Sequence, residues 1–308
     1  MVILFFIKNL IKFIILTNHT YCGMPLDDDQ GTFYGNLQSY KYYIRPTSHQ
    51  NFASDKAKSS SHFENVQKLL EILAKNGICT TWDMAKIRFS NDIDLIRTKE
   101  KYYRRLIVGR TSRNKHLPGI LELGLIVKDG KSHKRAPADQ YRLSLHGILY
   151  CMDVMNLSND DIDIIAIKYS NVLPKIFGNW DYLKSKLGDD VYKIKILSKG
   201  LLLDNLQLES KPSIPIQEIM YYIQKKYQKN FDIISEKDLA DQISFWFFTV
   251  MLINYPSKSK KSKNLSGKQK MNLVLNGDMN LKKWYLEFIK EVKIFYMKKN
   301  SLVKNFSI

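Results

Sequence analysis

Between Ile78 and His146 the apolar residues change from a helical to a strand rhythm, and that change limits what the chain can fold into. Ile93, Ile96, Tyr103 and Ile107 recur at spacings of three, seven and four, which predicts a helix from about Asp94 to Val108 with these residues on its buried side. Before it, Thr80 or Thr81 can cap a shorter helix that buries Trp82, Ala85 and Phe89, and Ser90-Asn91-Asp92 supplies a turn of capping residues. After it, Leu125-Ile126-Val127 and Tyr141-Arg142-Leu143 read as two short strands, separated by the turn signal Asp129-Gly130 and a polar loop from Lys131 to Pro137. An isolated pair of strands this short is not stable in water. It must lie against the helices before it, so the segment folds as a small helical unit with a β-hairpin attached.

The same segment concentrates the charge. The 308 residues carry a formal charge of +18. From Arg97 to Arg135, twelve lysines and arginines stand against three acids, so 39 residues hold half of that excess. A uniformly lysine-rich background does not produce such a local density. Six of the twelve are arginine, whose planar fork suits phosphate oxygens and base edges. On the predicted helix, Arg97, Lys101, Arg104 and Arg105 follow spacings of four, three and one and form a stripe apart from the apolar one. Arg110, Arg113 and Lys115 continue the charge in a hydroxyl-rich loop, ahead of Pro118, which suits the first turn of a short helix from Gly119 to Leu123. Lys131, Lys134 and Arg135 sit in the loop between the strands, and His116 and His133 fall among these cations, where phosphate contact is the better reading than metal binding. Any surface helix has a solvated charged face, so the stripe alone says little. Joined to two basic loops, it points to an acidic partner.

The order helix, helix, basic helix, Gly124-Leu125-Ile126 strand, basic loop and Tyr141-Arg142-Leu143-Ser144 strand resembles the winged helix-turn-helix of prokaryotic, in particular archaeal, transcription regulators. The resemblance spans about Phe63 to Met155, under a third of the chain. It implies a mainly α fold, with a winged helix-turn-helix domain of three or four helices plus a small β-hairpin wing, followed by an all-α C-terminal domain. It also implies binding of double-stranded DNA. Arg97, Lys101, Arg104 and Arg105 would then meet the groove or its phosphates, and Arg110, Arg113, Lys115, Lys131, Lys134 and Arg135 the flanking backbone. In such regulators the recognition helix runs directly into the Gly-Leu-Ile strand. Here a basic insert intervenes, which leaves two candidates for groove entry, the 94–108 helix and the segment from Lys115 to Leu123.

Helical patterns dominate elsewhere. Phe63, Val66, Leu69, Leu70 and Leu73 mark an amphipathic helix from Phe63 to Asn76, capped by Ser60 or Ser61 and closed by Gly77. Ser144 can cap a helix carrying Leu145, Ile148, Leu149 and Met152, with His146 packed at its start. Ser158 begins the next, over Ile162, Ile165 and Ala166; Asp160, Asp161 and Asp163 suit a helix N-terminus without any metal. Trp180 to Leu203 is mostly helical with a break near Gly188, Lys211 to Pro215 is a linker, and Ile216 to Tyr227 is a further helix. The run from Ile243 to Ile253 is apolar almost all round but too short for a bilayer, and reads as buried core ahead of a dimer interface. Ser257 to Lys270, with six lysines and no acid, reads as a flexible basic linker, and Leu281 to Val303 resumes a helical rhythm.

Composition closes off several classes. A hydrophobic fraction of 44% is that of a globular protein. Cys22, Cys79 and Cys151 are widely spaced, which excludes a disulfide framework or a zinc site and fits a reducing, cytoplasmic setting. The apolar run from Met1 to Leu16 is interrupted by Lys8 and Lys12 and is short for a transmembrane helix. An interfacial anchor and a start of translation at Met24 both account for it. No phosphate-binding loop, zinc-protease motif or nucleophile elbow is present, so no catalytic residue, metal or cofactor is expected. The expected organisation is an apolar segment 1–23, a polar arm 24–60, the winged-helix domain 61–156, a helical domain 157–255, the basic linker 256–280 and a C-terminal helix 281–308, with a homodimer through the C-terminal helices open. Two functions from different classes follow. One is a transcriptional regulator reading duplex DNA. The other is a protein-interaction or membrane-surface adaptor whose basic face meets an acidic partner or lipid.

Overall fold

A computed structural model describes residues 56–90, 92–112, 115–122, 124–132, 137–198, 235–251 and 265–305. In chain order the first half holds helix α1 (Lys56–Asn76), strand β1 (Cys79–Thr80), helices α2 (Thr81–Arg88) and α3 (Ile93–Val108), strands β2 (Gly109–Ser112), β3 (Lys115–Pro118), β4 (Ile126–Lys131) and β5 (Asp139–Leu143), and helix α4 (Leu145–Val154). The apolar stripe of α1 is used as its spacing predicts, with Val66, Leu69, Leu70 and Leu73 all buried, each leucine worth roughly 1.5–3 kcal/mol of burial. The helix starts at Lys56, ahead of the predicted start, so Ser60 and Ser61 lie inside it instead of capping it. No glycine or proline between Lys56 and Phe63 stops the helix from extending that far. Gly77, at φ 78°, closes it by donating its N–H to the Leu73 carbonyl at 2.8 Å.

Thr80 caps α2 in a reciprocal box with Asp83, and Asp92 caps α3 by accepting the Leu95 N–H at 2.8 Å. Because Thr80 is also paired into β1, the rotation of α2 is fixed, and its buried residues are Thr81, Met84 and Ala85. Trp82, expected inside, is 37% exposed, and Phe89 is only partly covered. On α3 the core side is Ile96, Tyr103, Leu106 and Ile107. Ile93 is 63% exposed, since it stands in the first turn, rotated toward the charged side of the helix.

The sheet is antiparallel in the order β1-β5-β4, with Cys79 opposite Tyr141 and Ile126 opposite Leu143. Two expectations change here. Asp129-Gly130 does not turn the chain. β4 continues to Lys131 opposite Asp139, with a register shift between Lys128 and Lys131 taken up at Gly130, whose φ is 78°. Gly119 to Leu123 is likewise not a helix. Pro118 ends β3 opposite Gly109, in a separate two-stranded hairpin with β2. The N–H groups that a helix would need are used elsewhere: Ile120 donates to the Leu106 carbonyl at 3.0 Å and Leu121 to Ile107 at 3.1 Å. They satisfy two of the open carbonyls at the end of α3.

Beyond β5 the described residues hold helices and turns. Ser144 caps α4, and Ser158 with Asp161 caps α5 (Asn159–Lys168) in a second reciprocal box. Helix α6 (Trp180–Leu187) gives way at Gly188, φ 57°, to a 3-10 turn over Gly188–Lys193 and then α7 (Ile194–Ser198), the break the sequence predicts. Helix α8 (Glu236–Trp246) runs into a π-helical turn over Phe247–Met251, and Gln242 to Thr249 are buried in the core: Phe245 stacks on Tyr285 at 5.6 Å and on Phe288 at 4.7 Å, both from α10 (Met279–Asn305). The span expected to be a flexible linker, 256–280, is helical over α9 (Gly267–Gly277). Ser266 and Gln269 cap it, and Met271, Val274 and Leu275 bury one face among the lysines. Tyr169 ties the two halves together, donating to the Leu73 carbonyl at 2.7 Å and accepting the Leu143 N–H at 3.3 Å. The described residues thus form a mainly helical fold with a small three-stranded sheet. None of their helices is long and apolar enough to cross a membrane. The apolar segment 1–23, the arm up to residue 55, the linker at Lys211 to Pro215 and the helix expected over Ile216 to Tyr227 lie outside them.

Candidate nucleic-acid interface

Helix α3 presents opposite faces to core and solvent. At about 100° per residue, with Ile96 as origin, Tyr103, Leu106 and Ile107 stay within roughly 80° of it, whereas Arg104, Arg97, Lys101 and Arg105 occupy about 80° to 180° on one side. All four cations are exposed. The side chain of Arg97 is 67% accessible and pairs with the freely exposed Asp94 at 3.4 Å. Arg104, 69% accessible, is held differently. Its partner Glu100, 3.2 Å away, is largely buried and accepts the Thr81 hydroxyl at 2.8 Å, so a chain of contacts runs from the first turn of α2 to this guanidinium. Lys101 and Arg105 are exposed to solvent.

The β4–β5 hairpin stands beside this face. Lys131 is exposed on β4. Lys128 is not a free cation, because it binds Asp139 at 2.9 Å. That hydrogen bond holds the Asp139 carboxyl below its ordinary range and raises Lys128, and the charges of Lys131 and Arg104 act on Asp139 in the same direction. Arg104 therefore lies on the flank of α3 that adjoins the hairpin. The opposite flank adjoins β2: the exposed Arg110 and the partly buried Arg88 both act on the Tyr102 hydroxyl, which burial pushes upward. Lys115 is placed by its backbone in β3, opposite Ser112. Arg113, Lys134 and Arg135, and His133 with them, lie outside the described residues.

One contact that the sequence does not reveal fixes the base of the β4–β5 hairpin. Arg142 on β5 bonds Asp129 on β4 at 3.0 Å and Glu236 on α8 at 2.8 Å, while Glu236 also accepts the Leu145 N–H at 2.8 Å. Burial opposes the charge on Arg142, but the two carboxylates outweigh it and keep the guanidinium firmly protonated. The wing-like strands are thus held to a helix 94 residues further along the chain.

No acid–base or nucleophilic arrangement accompanies these cations among the described residues. Burial pushes the Cys79 thiol up to about 11 and the Cys151 thiol higher still, which leaves both unreactive. Burial likewise holds His146 down at about 3, as a neutral ring inside the start of α4. Two of the acids near the start of α5 hold structure together. Asp161 caps its own helix, and Asp163 gathers the Trp180 indole N–H at 2.7 Å, the Lys184 ammonium at 2.7 Å and the Tyr192 hydroxyl at 3.0 Å. No group of three or more potential metal ligands occurs among the described residues.

Among the residues that sequence reasoning passed over, Glu100 was visible in principle, since Glu100 and Arg104 have the i, i+4 spacing of a helical ion pair. Arg142 and Glu236 had no local signal. Comparison with known protein families finds no matching family, and neither the characterised proteins nor the solved structures give a match.

Proposed function

We propose that residues 56–154 form a winged helix and that the protein binds double-stranded DNA as a transcriptional regulator, without catalysis. Helix α3 enters the major groove, where Arg97, Lys101, Arg104 and Arg105 meet base edges and phosphates. The β4–β5 hairpin is the wing, and Lys131 with Lys134 and Arg135 runs along the adjoining backbone. Helices α5 to α10 serve as scaffold or sensor in a cytoplasmic protein, and a second copy can pair through them.

The observation that carries this reading is the joint placement of α3 and the hairpin. The solvent face of α3 holds four exposed cations opposite the core, and the sheet order β1-β5-β4 sets a basic hairpin against the Arg104 flank of that face. β1, in front of α2, pairing with the far strand of the hairpin is the arrangement a wing requires. A helix face about 10–12 Å across suits a B-DNA major groove about 12 Å wide. Helix α3 is the better groove element of the two considered, because the chain from Lys115 to Glu122 is a strand and a turn. The adaptor reading leans on residues 1–23, which lie outside the described residues.

Selection from random duplex DNA at near-physiological salt, with structured RNA as competitor, tests the proposal. The expected outcome is an enriched duplex sequence that RNA does not displace. Capture without enrichment, or displacement by RNA at equal mass, would overturn it.

A further inference from the structure

The hairpin β2–β3 has no place in the winged-helix order, yet it is built into the end of α3 with some care. Its backbone closes on the helix through the Ile120 and Leu121 N–H groups described above. At Gly119 no side chain fits, since a Cβ there would collide with the Ile107 carbonyl and the Gly109 nitrogen. Gly109 itself, at φ 86°, ends the helix and starts β2 without an intervening loop. The hairpin is therefore a fixed continuation of α3 and not a loose insertion.

Two physical consequences follow. The C-terminal end of a helix carries a partial negative charge on its unpaired carbonyls, which repels phosphate. Here two of those carbonyls are occupied by the strap after β3. Beyond them, strands β2 and β3 carry Arg110 and Lys115 and no acid. Four-residue strands at about 3.3 Å per residue carry that charge roughly 13 Å past the helix end.

The direction is also fixed. Arg104 is paired with Glu100, which accepts the hydroxyl of Thr81 next to β1, the strand paired with β5 of the wing, whereas Arg110 lies in β2 and acts on Tyr102. Tyr102 and Arg104 are separated by about 160° around the helix axis. The two basic hairpins thus stand on opposite flanks of α3, with the stripe of Arg97, Lys101 and Arg105 between them.

We infer that β2–β3 is a second phosphate-binding arm, gripping the duplex backbone on the side of the groove opposite the wing, so that the protein brackets α3 with two hairpins. This rests on the DNA-binding reading above and adds to it a longer footprint.

The test measures the affinity of the full chain for DNA duplexes from about one to three helical turns, roughly 10 to 30 base pairs, each over a salt series. Three proteins are compared: wild type, Arg110→Ala/Lys115→Ala, and Lys168→Ala/Lys283→Ala, which removes two exposed lysines from α5 and α10. The hairpin variant should reach its full affinity on a shorter duplex than wild type, and its log–log salt slope should be shallower by about 2, near 0.9 for each phosphate lost. The lysine control should match wild type. If wild type binds duplex and the hairpin variant has the same slope and length profile, the second arm is wrong while the DNA-binding reading stands. An equal loss in the lysine control assigns the effect to bulk charge and also overturns the arm. No wild-type binding at any length overturns both.

Discussion

The cations of α3 and those around Asp190 are chemically alike and live in opposite circumstances. On α3, Arg97 and Arg104 are about two-thirds exposed and each touches one carboxylate at 3.2–3.4 Å. Between the turn at Gly188–Lys193 and α9, Asp190 is 1% exposed and binds two buried ammonium groups, Lys270 at 2.9 Å and Lys193 at 3.3 Å. Burial drives the Lys193 pKa below its usual range, against the attraction of Asp190. Both lysines are buried away from any outside ligand. They pin the 3-10 turn to α9, a helix drawn from the most lysine-rich stretch of the chain. Charge count is thus no guide to binding by itself: what decides is whether the cation's neighbours have already used it.

The largest test of that contrast is Asp190→Asn. Removing a carboxylate from between two buried ammonium groups is expected to cost about 3–5 kcal/mol, read from the midpoint of urea unfolding at constant slope. Arg97→Ala should stay within about 0.5 kcal/mol in the same assay. Similar losses for the two would collapse the distinction.

His146 extends the contrast to a buried group kept neutral. Its folded pKa of about 3 lies below the ordinary 6.5, so the unfolded chain takes up a proton first as the pH falls. Its contribution to stability is complete above pH 6.5 and is lost progressively toward pH 3. Between pH 7 and 5 the loss is expected to be about 2 kcal/mol. A His146→Leu variant should flatten that limb; an unchanged pH profile would mean that the ring protonates inside the fold.

Arg142 is the intermediate case, half-buried between Asp129 and Glu236. Arg142→Met is expected to lose on the order of 2 kcal/mol in thermal unfolding. A loss within the range of Arg97→Ala would place this link with the surface pairs.

Local structure was largely legible in the sequence because its signals are local. Caps at Thr80, Ser144 and Ser158, the closing Gly77, the break at Gly188 and the buried stripe of α1 each depend on residues within one turn. What escaped depended on distant partners. Trp82 and Ile93 fit a helical period but are exposed among the described residues, and the strap from Ile120 departs from the helix its residues suggest because its two N–H groups each find a carbonyl fourteen residues back. In α9 the composition misled, since lysines masked the spacing of Met271, Val274 and Leu275. The basic face was legible as a count and a stripe. Its split into two flanks, and the loss of Lys128 to Asp139, needed the pairing register of the strands.

The most direct test of the central claim is the salt dependence of duplex binding for wild type and for Arg104→Ala/Arg105→Ala. If α3 offers unused cations to DNA, wild-type log affinity should fall linearly with log salt, and the double variant should bind more weakly with a slope shallower by about 2, from two phosphates at roughly 0.9 each. Its folding stability should stay within about 1 kcal/mol of wild type. Equal affinity and slope for the two proteins would contradict the assignment of α3 as the binding face.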